Sequence, residues 1–294
     1  MTSGNIKTNL YGFLAVFFLA TSFPFSRIAL EQFSPYALGF LRCALAAIIF
    51  IIIGKYNKIS VPHRPFDILL FFLSGATGFG AYLFLFNKGM QTVTSATSSI
   101  ITATSPIMTA CAAALLYNEK ISKLGILSIT AAFCGVLVII LWSGILSINI
   151  GVLWTFAATV LTTAYNLLNR TLSRMKYNSI EIVTYGMFFG ALLLAPFSVQ
   201  GIHEMMQADP KHLGTLFFLS FATSGLGYFF LTKGMQIAEK TTDITNYLFA
   251  GPLIATILGY VILGETLNSG TLIGGILIVI GIVLFIYKGA VQKE

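Results

Sequence analysis

Apolar residues fall along this chain in runs of about twenty, separated by short polar joints, and these runs organise it more than any single motif does. Ten stretches stand out, approximately Tyr11–Leu30, Tyr36–Gly54, Phe66–Met90, Thr94–Tyr117, Ser122–Trp142, Ile150–Leu172, Ser179–Val199, Leu213–Gln236, Thr242–Leu263 and Ser269–Lys288. Each has about the length a helix needs to cross a hydrocarbon core of roughly 30 Å. The first run follows one lysine, Lys7, and is long for a cleaved leader, so it is expected to remain as a span. Connections are short except for Gln200–His212, which leaves no room for a soluble domain. The pattern predicts an all-α integral membrane protein of ten transmembrane helices.

The runs also repeat. Lys88-Gly89-Met90-Gln91, Pro106, Glu119 and Gly135 are followed in the same order by Lys233-Gly234-Met235-Gln236, Pro252, Glu265 and Gly281. The first motif returns after 145 residues and the other three after 146, a slip explained by one inserted residue. Two repeats follow, 1–145 and 146–294, with five spans each. An odd number of spans makes the second half enter from the opposite side, so the repeats are inverted. Inverted repeats related by an axis in the membrane plane belong to carriers that work by alternating access, with the substrate site between the halves.

Charge sets the orientation. Thirteen Lys and Arg residues fall in joints on one side, against Lys88 and Lys211 on the other, which places both termini in the cytoplasm. The net charge of +7 is mostly this asymmetry and calls for no nucleic-acid partner. Composition agrees, with 56% hydrophobic and 9% charged residues, too few charges to cover a water-facing surface. Cys43, Cys111 and Cys134 lie inside apolar runs, with neither disulfide nor metal spacing, and are read as small buried hydrophobes.

The stretch Leu19-Ala20-Thr21-Ser22-Phe23, then Arg27, Ser34-Pro35, Arg42 and Ala46, resembles the opening of EamA-type members of the drug/metabolite transporter superfamily. The Pro106…Glu119…Gly135 and Pro252…Glu265…Gly281 patterns resemble the end of each EamA repeat, so the resemblance covers nearly the whole chain. It departs at Ala20-Thr21, where the family commonly has Trp-Gly. The resemblance implies a ten-helix carrier of the bacterial inner (cytoplasmic) membrane, often an exporter of amino acids or related metabolites.

Candidate site residues come from polar positions inside the runs. Ser95, Ser98, Thr102, Ser105 and Thr109 are spaced 3-4-3-4, one helical face of hydroxyls, and such a stripe turns from lipid toward protein or a watery cavity. Small-residue helix packing is the other reading of the same stripe. The sixth run offers Thr162, Tyr165, Asn166 and Asn169, and the ninth offers Thr242, Asp243, Thr245 and Asn246. Tyr82 and Tyr228 stand beside Gly78/Gly80 and Gly225/Gly227, glycines that allow hinges or close crossings. Ser98, Thr102, Tyr82, Tyr165, Asn166, Asn169, Tyr228 and Asn246 are expected to bind substrate. Pro106 and Pro252, each removing a helical hydrogen bond at equivalent places, are expected to bend their helices.

Two arginines fall within spans. Arg27 can snorkel, pair with Glu31 or attract an anionic group; Arg42 is read first as structural and second as a recognition charge. No acid sits clearly at the midplane, so a neutral or zwitterionic substrate moving down its own gradient is expected, with Asp243 the coupling candidate if protons are involved. His63, His203 and His212 fall in joints without metal spacing, and no phosphate loop follows a strand, so neither enzyme chemistry nor a cofactor is expected. The expected partners are the lipid bilayer and a small-molecule substrate. A monomer is the working expectation, with oligomeric state left open. The rivals are a non-transporting membrane scaffold or partner subunit, and a carrier of another metabolite such as an anionic or cationic solute.

Overall fold

The computed structural model describes residues 3–57, 59–62, 64–116, 123–142, 149–238, 244 and 246–288, and these are helical apart from turns and short joints. In order come α1 (Ser3–Ala29), α2 (Pro35–Tyr56), α3 (Pro65–Met90), α4 (Ser95–Thr102), α5 (Ser105–Leu116) and α6 (Lys123–Leu141). Then follow α7 (Ile150–Arg174), α8 (Ser179–Leu193), α9 (Ser198–Gln207), α10 (Pro210–Ile237), α11 (Gly251–Leu263) and α12 (Ser269–Lys288). Among the described residues, α1, α2, α3, α7 and α10 are long and apolar enough to cross a membrane. The bent pair Ser179–Leu193 and Ala195–Gln207, at 61°, makes a sixth candidate, and α6, α11 and α12 contain shorter apolar helices.

Local chemistry sets the boundaries. Pro35, Pro65, Pro210 and Pro252 sit in the first turns of their helices, where a missing N–H costs nothing. Thr94, Asn149, Asn178 and Asp209 cap α4, α7, α8 and α10 with side-chain oxygens, and Asn178 with Glu181 completes a capping box. Gly264, at φ 66°, ends α11 in the left-handed conformation that glycine adopts without strain.

The structure departs from the sequence reading in three places. The stretch expected as one fourth span holds two helices broken at Ala103–Thr104, just before Pro106. The connection Gln200–His212 is mostly helical: His203 lies on α9, and His212 on α10 behind its Asp209 cap. Cys134 is exposed, whereas Cys43 is buried.

The exterior is apolar and the interior holds the polar side chains. Leu253 and Val261 are 66% and 72% exposed, while Asn87, Ser98 and Asn169 are fully buried. Water would reverse that distribution, and lipid favours it. Helices α6 and α12 pack through glycine: a methyl group at Gly135 would meet the Gly274 carbonyl at 2.5 Å. Both α3 and α10 contain a π-helical stretch, Ala76–Gly80 and Leu219–Gly227, and a shift of 145 carries the first inside the second.

Candidate functional site

The π-helical stretches re-aim the residues that follow them. Tyr82 is the second residue after the one in α3, and Tyr228 the first after the one in α10. Both face a cavity in the middle of the bundle, bounded by α1, α2, α3, the α4–α5 break, α7, α10 and the start of α11. The cavity opens to the outside, and its non-atom space, open mouth included, is about 790 Å³. Much of its wall is apolar, with Leu19, Phe23, Leu231 and Leu248 among the lining residues.

Of the expected binding residues, the cavity brings together Tyr82, Thr102, Tyr165, Asn166 and Tyr228. Thr102 reaches it because α4 ends there; its hydroxyl donates back to the Ser98 carbonyl at 2.9 Å. Pro106 and Pro252 line it too, each as the second residue of its helix. Tyr165 packs edge-on against Phe79 and Tyr228, with centroids 5.4 and 5.7 Å apart, in the room left by side-chain-free Gly78.

Two expected residues stand behind the wall. Asn169 braces it, its amide donating to Thr232 Oγ1 at 3.1 Å and Tyr165 Oη at 3.3 Å. Ser98, one turn before Thr102 on α4, is fully buried and does not line the cavity, whereas its neighbour Ser99 does. Asn246 begins a 3₁₀ turn, Asn246–Ala250, ahead of α11. Asp243, Thr242, Thr245 and Glu119 lie outside the described residues.

Arg27 turns away from the cavity. Its Nε lies 3.2 Å from Glu265 Oε1, and Nη1 donates to the Val93 carbonyl at 2.8 Å. Glu265 Oε2 also accepts from the Ser95 amide at 2.8 Å, so one carboxylate joins α1, the start of α4 and the joint after α11. Arg27 therefore does not pair with Glu31, which meets His212 Nε2 at 3.1 Å. Asp209 holds His212 from the other side at 2.7 Å, and the bonds from the His212 backbone and side chain keep the Asp209 carboxyl below its usual range.

Arg42 is only 1% exposed yet borders the cavity. Its partners are hydroxyls: Ser224 Oγ at 3.2 Å from Nε and 3.1 Å from Nη2, Ser26 Oγ at 3.0 Å from Nη1 and Ser22 Oγ at 3.1 Å from Nη2. No carboxylate reaches it among the described residues. The sequence reading favoured a structural role for Arg42 and missed this serine shell. Ser22 and Ser26 do carry a signal, one helical turn apart, whereas Ser224 is 182 residues away from Arg42. Asn166 faces the same cavity; its amide nitrogen donates weakly to Ser105 at 3.5 Å and Thr109 at 3.4 Å, and its Oδ1 is buried without a partner among the described residues. Among those residues, no group of three His, Cys, Asp or Glu side chains is placed to hold a metal ion.

Comparison with known proteins places this geometry in context. The model of the EamA-like transporter family matches twice, at residues 6–141 and 149–287. An uncharacterized transporter of Archaeoglobus fulgidus is 28% identical, over 94% of this chain and 97% of its own. A probable terminal-alkyne amino-acid exporter of Streptantibioticus cattleyicolor is 26% identical, over 92% of this chain and 90% of its own. The uncharacterized transporter YdfC of Bacillus subtilis is also 26% identical, over 91% and 87%. A solved crystal structure superposes with a TM-score of 0.64 at 16% identity, covering 95% of this chain and 98% of that one, a likeness of fold alone.

Proposed function

The chain belongs to the EamA-like transporter family, and from that premise we propose that it is a secondary carrier moving an amino acid or similar zwitterion across the bacterial cytoplasmic membrane, in the export direction. The observation that carries this reading is the central cavity, which is lined by polar residues of both halves, Arg42, Tyr82 and Thr102 from the first, Asn166 and Tyr228 from the second. A scaffold would gain nothing from leaving such groups around an open space. The name of the Streptantibioticus cattleyicolor relative favours an amino acid and export.

The proposed architecture is ten spans in two inverted five-helix repeats, 1–145 and 146–294, with both termini cytoplasmic, working as a monomer by alternating access. The double family match and the repeated π-helical stretches support the duplication. Helix boundaries beside Pro106 and Pro252, both of which line the cavity, give each half an interruption at that point. No acid lines the cavity among the described residues, which favours facilitated movement over proton coupling. Flux of labelled amino acids into liposomes holding the purified protein tests this. Saturable exchange without an ion gradient is expected. Flux only under an imposed pH step makes Asp243 the residue to mutate and overturns the facilitative part. No flux of any amino acid overturns the substrate class.

A further inference from the structure

Arg42 and Asn166 both line the cavity with incomplete bonding among the described residues, and their deficits are of opposite kind. A guanidinium has five N–H groups in a planar fork. Four bonds to serine hydroxyls leave one Nη1 hydrogen without an acceptor, and leave the positive charge without a counter-ion among the described residues. Burying a cation is costly unless an anion compensates it. Neutral hydroxyls offset only part of that. On the wall of the same cavity, the Asn166 carbonyl oxygen is a buried acceptor without a donor among the described residues. A buried acceptor left without a donor keeps its full desolvation penalty.

We propose that these two deficits are one recognition device: Arg42 takes the carboxylate of an α-amino acid and Asn166 Oδ1 takes its ammonium group. The assignment rests on the carrier reading above and gives it a specific chemistry. Ser22 lines the cavity and accepts from Nη2 at the edge of the guanidinium, and a turn about its single χ1 frees that N–H, beside the unused one on Nη1, for a carboxylate that binds through two parallel N–H bonds. Tyr82, Tyr165 and Tyr228 also line the space, and aromatic rings attract an ammonium ion. Leu19, Phe23, Leu231 and Leu248 leave an apolar compartment for the side chain. With no lining acid among the described residues, a second cationic group would be buried unpaired beside Arg42. Aliphatic or aromatic amino acids are therefore the ligands, and lysine or arginine are not.

Calorimetric binding of leucine, leucinamide, 4-methyl-2-oxopentanoate and lysine to purified protein tests the device separately from flux. Wild-type protein should bind leucine roughly 10- to 100-fold more tightly than leucinamide, the loss expected from one charge-assisted bond pair. The oxo acid should fall between them, and lysine should be the weakest. Arg42→Gln should erase the preference for leucine over leucinamide, and Arg42→Lys should restore part of it. Asn166→Leu should erase only the preference for leucine over the oxo acid. Equal wild-type affinity for leucine and leucinamide overturns the assignment, whether or not any variant folds. A preference that survives Arg42→Gln in folded protein overturns it as well. Arg42-dependent binding of leucine without flux in liposomes leaves the device standing and overturns the carrier reading.

Discussion

Arg27 and Arg42 stand 15 residues apart on α1 and α2, both inside apolar runs, but their surroundings are opposite. Arg27 has a carboxylate at 3.2 Å and a carbonyl at 2.8 Å, and about a third of its side chain is exposed. Arg42 is buried against hydroxyls at a cavity wall, with no carboxylate among the described residues. The first charge is balanced within the fold and ties three segments together. The second is left for something else to balance. An intramembrane charge that the protein itself does not neutralise is a poor stabiliser and a good binding site, because its desolvation cost is already met when the ligand arrives.

That contrast can be broken by making Arg42 resemble Arg27. Ser224→Asp puts a carboxylate where the hydroxyl now sits, 3.1 Å from Nη2. It should weaken leucine binding roughly 100-fold and raise Tm, because the internal acid both competes with the ligand and relieves the buried charge. Calorimetry and a thermal melt on one sample measure both.

The converse change makes Arg27 resemble Arg42. Glu265→Gln removes the ion pair and weakens the bonds to Ser95, at a cost of about 1–2 kcal/mol. A fall in Tm with leucine affinity intact is expected; loss of affinity would show that this junction also shapes the cavity.

The smallest expected effect sharpens the contrast from outside both regions. Tyr177, in the joint between α7 and α8, donates to Asp67 Oδ2 at 2.6 Å, and burial together with that bond pushes its phenol up to about 12. The folded-state value lies above the ordinary value of 10.0, so the neutral phenol contributes stability that is complete below pH 10. That contribution is lost as pH rises through about 12. Tyr177→Phe should flatten the part of the alkaline stability slope between those values, as followed by urea titrations at each pH.

Much of the fold was legible because lipid imposes a simple rule: apolar runs of fixed length become helices, and polar groups within them face inward. The cavity residues Thr102, Asn166 and Tyr228 were found that way, as polar positions with nowhere else to point. Sequence periodicity could not show the break at Ala103–Thr104, where the hydroxyl stripe stops behaving as one face. Nor could it pair Arg27 with Glu265, which lies 238 residues away, in preference to Glu31 on the next helical turn. The reading of Arg42 needed Ser224, brought in by a π-helical stretch whose extra residue per turn leaves no mark in hydrophobic spacing. Gln200–His212 was misread because few apolar residues mark it, and α9 exposes Val199 and Met206 rather than burying them.

The most direct test sets Arg27→Gln beside Arg42→Gln and measures Tm with and without saturating leucine. The account predicts that Arg27→Gln melts earlier but keeps the upward shift with leucine. Arg42→Gln should melt no earlier than wild type and show no shift. An Arg42→Gln protein that is destabilised yet still shifts with leucine would contradict it, and would return Arg42 to a structural role.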